Sequence, residues 1–337
     1  MSNYAYVATR ARSRRSRLLP AEAYNQLLNL EHAEIARYIQ DLEYRREIDR
    51  YGSTLSGADL IETALVDNLA KDIGDFLSFS KGKLRDILHV YAEKYRVDNL
   101  KNIIRGINQN MDRQNLERLV CPINDSDKDL YSKLYDSKTV EDVISSLEGT
   151  SYYNPLKKAL ESRNSDSLQP LEDTLDLIYY RNLVSNQPSG GADVEVYRNF
   201  VQLKVDIANI KTLLRMRHRG IGSHDELLIS GGTLATDLLA STQSLEDLLS
   251  SLEGTKYFEL LEPHLKPDSV DLNSCVHSLD EYMAKKTKRF SYLYPLSVLP
   301  VLDYLLKKER EVYNLRAIVR GKQAGLANDI IEELVVV

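Results

Sequence analysis

Val97-Asp98-Asn99-Leu100-Lys101-Asn102-Ile103-Ile104-Arg105-Gly106 carries a pattern that this chain writes three times. The second copy is Asn209-Ile210-Lys211-Thr212-Leu213-Leu214-Arg215 and the third is Asn314-Leu315-Arg316-Ala317-Ile318-Val319-Arg320. Each reads asparagine, aliphatic, cation, any residue, two aliphatics, arginine. The copies start 110 and 105 residues apart. Placed on a helix, the aliphatics at positions two, five and six share one face and the two cations share the other.

Further landmarks keep step. Ile39-Gln40-Asp41-Leu42-Glu43-Tyr44 corresponds to Leu147-Glu148-Gly149-Thr150-Ser151-Tyr152 and to Leu252-Glu253-Gly254-Thr255-Lys256-Tyr257. From these tyrosines to the next signature asparagine is 55, 57 and 57 residues. Thr139-x-x-Asp142 and Ser244-x-x-Asp247 match as helix N-caps, with Glu31-x-x-Glu34 as a weaker first version. Such periodicity reads as three diverged copies of one unit. The boundaries expected are residues 1–119, 120–222 and 223–337.

The 337-residue chain has no Trp, few Gly and Pro, and much Leu, Glu, Lys, Arg and Tyr, a composition that favours helix. No stretch sustains the alternation of a half-buried strand. The fold class expected is all-α. One helix is expected over Glu31–Tyr51, others over Leu60–Phe79, Lys83–Asn110, Val194–Arg217 and Val298–Gly321. Asn124–Lys128 and Asn186–Gly191 read as turns or loops, and the four glycines of His218–Gly232 as an inter-unit linker.

Residues 1–17 hold Arg10, Arg12, Arg14, Arg15 and Arg17 without an acid. The whole chain is −6, so residues 18–337 carry −11. An acidic body repels nucleic acid and anionic lipid, so the arm reads either as a solvated helix face or, given five arginines in eight positions, as a patch that docks on an acidic protein surface. No run reaches the roughly 20 apolar residues of a membrane span, and the N-terminus lacks the apolar core of a secretory signal. Cys121 and Cys275 form no metal or redox motif and read as thiols in a reducing compartment.

Chemistry finds no foothold. There is no GxxxxGK[ST] loop, no GxSxG, no HExxH and no paired ExxH; Asp86-x-x-His89 stands alone. No cofactor and no metal are expected, and an enzyme is not. The signature cations have two readings: ion pairs within the chain, with Asp98, Asp206, Glu311 or acids on neighbouring helices, or a surface that grips a partner. The candidate partner-binding residues are Arg10, Arg12, Asn99, Lys101, Arg105, Asn209, Lys211, Arg215, Asn314, Arg316 and Arg320.

The opening Asn3-Tyr4-Ala5-Tyr6-Val7-Ala8-Thr9-Arg10-Ala11-Arg12 with Leu18-Leu19, the triplicated Asn-x-[Lys/Arg]-x-x-x-Arg, and the ending Arg320-Gly321-Lys322 resemble one family. It is the central-stalk C-type subunit of A/V-type rotary ATPases, whose eukaryotic relative is the d-type subunit of the vacuolar ATPase. The resemblance spans the chain. It departs in Arg316, where the other copies have Lys, and in the density of arginines at 10–17. It implies three similar helical domains in a pseudo-threefold funnel, seated on the membrane proteolipid ring and receiving the central shaft. It also implies a non-catalytic coupler of proton or sodium translocation to ATP synthesis or hydrolysis, peripheral on the cytoplasmic side of the membrane. Without the resemblance, the repeats alone would fit a generic helical protein-interaction scaffold.

Overall fold

The computed structural model of the protein describes residues 2–161, 167–188, 190, 192–221, 225–266 and 269–335. These are almost wholly helical: the fold is all-α. The long helices are α5 (Gly57–Phe79), α6 (Lys83–Asn108), α11 (Gln169–Ser185), α12 (Ala192–His218), α16 (Leu272–Leu293) and α17 (Leu299–Gln323). The shorter ones are α1 (Tyr4–Arg15), α2 (Ala21–Leu27), α3 (His32–Gln40), α4 (Arg45–Tyr51), α7 (Arg113–Leu119), α8 (Asp125–Leu134), α9 (Val140–Ser145), α10 (Tyr153–Glu161), α13 (Thr236–Ser241), α14 (Leu245–Ser251), α15 (Lys256–Leu261) and α18 (Asn328–Leu334). A two-residue antiparallel pair sets Leu265 opposite Val270 and Lys266 opposite Ser269.

The chain divides into two compact units, residues 1–171 with 301–337, and residues 172–300. The first contains α6 and α17, the second α12. In the first unit α5 buries Ile61, Leu65, Leu69 and Ile73, the three-to-four spacing expected of it. α4 and α7 lie against α5, and α7 and α9 against α6. In the second unit α12 packs on α14 and α16. Helix starts are chemically marked. Thr139 and Asp142 form a reciprocal capping box on α9, and Ser244 and Asp247 form its counterpart on α14. In the first copy the Glu34 carboxylate accepts the Glu31 backbone N–H at 2.9 Å.

Three expectations need correction. Glu31–Tyr51 is not one helix but α3 and α4, with a turn over residues 41–44. The turn brings Tyr44 inward, where its hydroxyl donates to Glu311 at 2.5 Å, so a tertiary bond outweighs a continuous local pattern. Asn124–Lys128 is not a turn but the start of α8, with the Asn124 side chain accepting from the Asp127 N–H at 2.8 Å. The supposed linker His218–Gly232 lies within the second unit, where Ile229 hydrogen-bonds to Asn209 of α12 and the adjoining Thr233 and Leu234 bond to Asp206 of the same helix. Its residues 222–224, with 189 and 191 of the preceding loop, Pro267 and the terminal 336–337, lie outside the described residues.

Candidate functional site

The signature helices are built alike. Their aliphatics are all buried: Leu100, Ile103 and Ile104 on α6; Ile210, Leu213 and Leu214 on α12; Leu315, Ile318 and Val319 on α17. Each such side chain contributes roughly 1.5–3 kcal/mol when fully buried. The asparagines are buried too. Asn99 donates to the Cys121 carbonyl at 2.8 Å and accepts the Cys121 N–H at 2.9 Å. Asn209 does the same to Ile229, at 2.8 and 2.9 Å. An amide is one of few side chains that can donate and accept at once, and so satisfies both the N–H and the C=O of one buried residue. Asn99 also donates to the Tyr131 hydroxyl at 3.3 Å, and Asn314 is hydrogen-bonded to Tyr24. The asparagines serve the fold from inside, which takes their amides out of a partner's reach.

The landmark tyrosines reach the same helices. Tyr152 donates to Glu93 on α6 at 2.6 Å, Tyr257 to Asp206 on α12 at 3.1 Å, and Tyr44 to Glu311 on α17 at 2.5 Å. In every case the acid precedes a signature asparagine by one or two helical turns. Burial and the adjacent carboxylate push all three phenols far above the ordinary tyrosine range. The first two tyrosines pair with the preceding signature helix, whereas Tyr44, near the start of the chain, pairs with the last. Lys308 completes that last cluster. It is 1 % exposed, donates to Tyr44 at 2.7 Å and to Glu311 at 3.0 Å, and lies 4.0 Å from the Tyr44 ring centroid. The Leu19 N–H adds a further contact to Glu311 at 2.6 Å.

The acids proposed for the signature cations thus serve elsewhere in two cases: Asp206 and Glu311 hold tyrosines and backbone. Four of the six cations pair with other helices. Lys211 meets Asp280 at 2.6 Å and Arg215 meets Asp173 at 2.8 Å. Arg316 meets Glu62 at 3.3 Å, and Arg320 joins both Glu62 and Asp59. Lys101 is half-buried and Arg105 exposed on α6. These pairs are partly solvated, so each is worth about 1 kcal/mol or less.

The arginine arm lies on the protein's own surface. α1 buries Val7, Ala8 and Ala11, while Arg14 bonds Asp72 at 2.7 Å and also Asp75. Arg15 meets the buried Asp303 at 2.6 Å, and Arg17 meets Glu43 at 3.1 Å. Arg10 donates to the Tyr6 hydroxyl at 2.7 Å and sits 4.3 Å from the Phe79 ring centroid; Arg12 is exposed. The acidic surface that three of these arginines meet is therefore within the chain, on α5, α17 and the turn before α4. Composition reveals the charge of the arm but not its address, because Asp72 and Asp303 lie 58 and 288 residues from their arginines.

The thiols are buried, and burial pushes Cys121 up to about 12 and Cys275 up to about 11, far from a reactive thiolate. Among the described residues no helix is long and apolar enough to cross a membrane.

Comparison with known proteins places this architecture. Residues 7–334 match the family model described as ATP synthase (C/AC39) subunit. The A-type ATP synthase C-type subunit of Haloferax volcanii is 36% identical over 99% of this chain and 98% of its own length. Its namesake in Archaeoglobus fulgidus is 33% identical over 99% of this chain and 96% of its own, and that of Methanosarcina mazei 32% over 100% and 93%. Given this end-to-end correspondence, with the repeated asparagines and tyrosines joined in the helical frame just described, the chain belongs to the ATP synthase (C/AC39) subunit family.

Proposed function

We propose that this chain is a non-catalytic central-stalk subunit of an A/V-type ATP synthase or ATPase. In this reading it joins the membrane proteolipid ring to the rotating shaft, and so couples proton or sodium movement to ATP synthesis or hydrolysis elsewhere in the complex. It works as a peripheral subunit on the cytoplasmic side. The observation that carries the reading is relatedness along the full length to proteins named as the C-type subunit of A-type ATP synthases.

The reading includes three alike units, residues 1–119, 120–222 and 223–337, about a pseudo-threefold axis. It is supported by the repeated joint of buried asparagine, capping box and tyrosine–carboxylate bond. A coupler must transmit twist without yielding, and close-packed helices cross-linked by buried hydrogen bonds deform little. Arg10, Arg12, Lys101, Arg105, Lys211, Arg215, Arg316 and Arg320 supply the partner contacts to carboxylates of ring loops or shaft, the last four by exchanging partly solvated internal pairs. Asn99, Asn209 and Asn314 hold the helices that present them.

Affinity purification of the tagged chain from membranes tests the assignment: ring and shaft subunits co-purify if it is right, and their absence rejects it. The variant Arg105→Gln, Arg215→Gln, Arg320→Gln tests the cations. Its assembly with the shaft falls and becomes less sensitive to salt, whereas unchanged assembly removes them from the interface.

A further inference from the structure

α16 ends in an exposed apolar tip. Tyr292, Leu293, Tyr294, Pro295 and Leu296 are consecutive and all exposed, with Tyr292 at 60%, Leu293 at 58% and Leu296 at 65%. Scattered exposed apolar residues are ordinary on a soluble surface; five in succession at one helix end are not. Just before the tip stand Lys285, Lys286, Lys288 and Arg289, and no acid occurs from Tyr282 to Leu302 in a chain whose net charge is negative. Lys285 is shared with Glu281 at 2.6 Å, and Lys286 lies 5.4 Å from the Tyr282 ring centroid. Lys288 and Arg289 are exposed.

At 3.6 residues per turn, Lys285, Lys288, Arg289, Tyr292 and Leu293 fall on one outer sector, opposite the buried Met283, Thr287 and Ser291. We infer that this tip is a docking surface for an anionic phospholipid bilayer, with Tyr292, Leu293, Tyr294 and Leu296 at the acyl boundary and Lys288 and Arg289 among the phosphates. The order of chemistry favours lipid over an acidic protein groove. Cations and apolar residues are layered along the helix axis, about 6 Å from Arg289 to Leu293. That matches the roughly 5–7 Å depth of a headgroup layer. Tyrosine with lysine and arginine is also the residue set of the membrane interface. The arm at 10–17 is not needed for this contact.

The test uses the full chain alone with vesicles of phosphatidylglycerol and phosphatidylcholine in equal parts, so its outcome is separate from the fate of the rotary reading. The chain has no Trp, and Tyr292→Trp provides a single reporter. Its emission shifts to the blue with the anionic vesicles and not with phosphatidylcholine alone. Lys288→Gln with Arg289→Gln lowers partition roughly fivefold per charge removed. Tyr292→Ser with Leu293→Ser and Leu296→Ser abolishes flotation at unchanged circular dichroism, while Lys157→Gln with Lys158→Gln on α10 changes nothing. The proposal is overturned by any of three results. The reporter stays unshifted and the wild type does not float; the tip variants float like the wild type; or the tip variants lose self-association, or retention on proteolipid-containing membranes, without losing lipid.

Discussion

A single buried amide does at two places, Asn99 and Asn209, what no apolar residue of similar size could do. Asn209 satisfies both polar groups of Ile229, so Asn209→Ala orphans a buried donor and a buried acceptor. A loss of about 1–3 kcal/mol for each is expected, read as a lowered urea midpoint at constant m. Glu311 holds a higher stake. Glu311→Ala leaves Lys308 buried without the carboxylate it is hydrogen-bonded to and should cost about 3–5 kcal/mol, whereas replacing Lys308 and Glu311 together with Met and Leu should cost much less. A double-mutant cycle in urea separates the two cases, and equal losses would refute the account. Acid acts elsewhere. Backbone N–H groups of Lys138 and Gln243, with the hydroxyls of Thr139 and Ser244, hold Asp142 and Asp247 below the usual carboxylate range. A carboxylate depressed by folding contributes stability that is complete above its unfolded value of about 3.9 and is lost as pH falls through the lower folded value. Asp142→Asn should therefore weaken α9 at neutral pH and flatten that part of the acid limb, followed by circular dichroism between neutrality and strong acid.

At the scale of elements, the capping boxes explain how helices as short as α9 and α14 exist at all. Both are below the length at which an isolated helix persists in water, so their starts are fixed by side chains and their faces by burial of Val143, Ile144 and Leu248. Thr139→Ala and Ser244→Ala should each cost about 0.5–2 kcal/mol by chemical denaturation. Close approach supplies a second repeated device. A Cβ on Gly106 would stand 2.3 Å from the Leu116 side chain, and one on Gly321 would stand 2.7 Å from Ile331. Each glycine follows a signature arginine and admits an apolar residue ten positions on, which seats α7 in one case and α18 in the other. Gly321→Ala should displace Ile331 and raise amide exchange across α18, with little change in α16.

For the molecule as a whole, the repeat in the sequence and the unit of packing are out of register. Each signature helix gathers short helices that follow it in the chain, and the last also gathers the first of them. That is why residues 301–337 belong to the same compact unit as the N-terminus. The His32 ring meets the Val319 carbonyl at 2.9 Å, Lys322 donates to the Leu28 carbonyl at 2.7 Å, and Glu311 takes Tyr44 and the Leu19 N–H. A chain cut after Ser297 should consequently lose amide protection over residues 19–51, although those residues are intact, while α12 and α14 keep theirs. Retained protection at 19–51 would show that α17 is not their support.

Local chemistry was enough to fix much of this protein. Helical class, the course of most of the long helices, the inward faces of the three signatures and the caps at Thr139 and Ser244 all depend on residues within a turn or two of one another, which periodicity records. Two of the three assignments that failed are ones in which distant groups prevail: the break at residues 41–44, where Tyr44 turns to Glu311, and the fastening at Ile229 by Asn209. The third, Asn124–Lys128, is a local N-cap whose polar residues read equally as a turn. The internal addresses of Arg14 and Arg15, at Asp72 and Asp303, again lie far along the chain. Which carboxylate meets which cation depends on how helices hundreds of residues apart come to lie side by side. A sequence lists charges, but only the packed chain sets the distances across which they act.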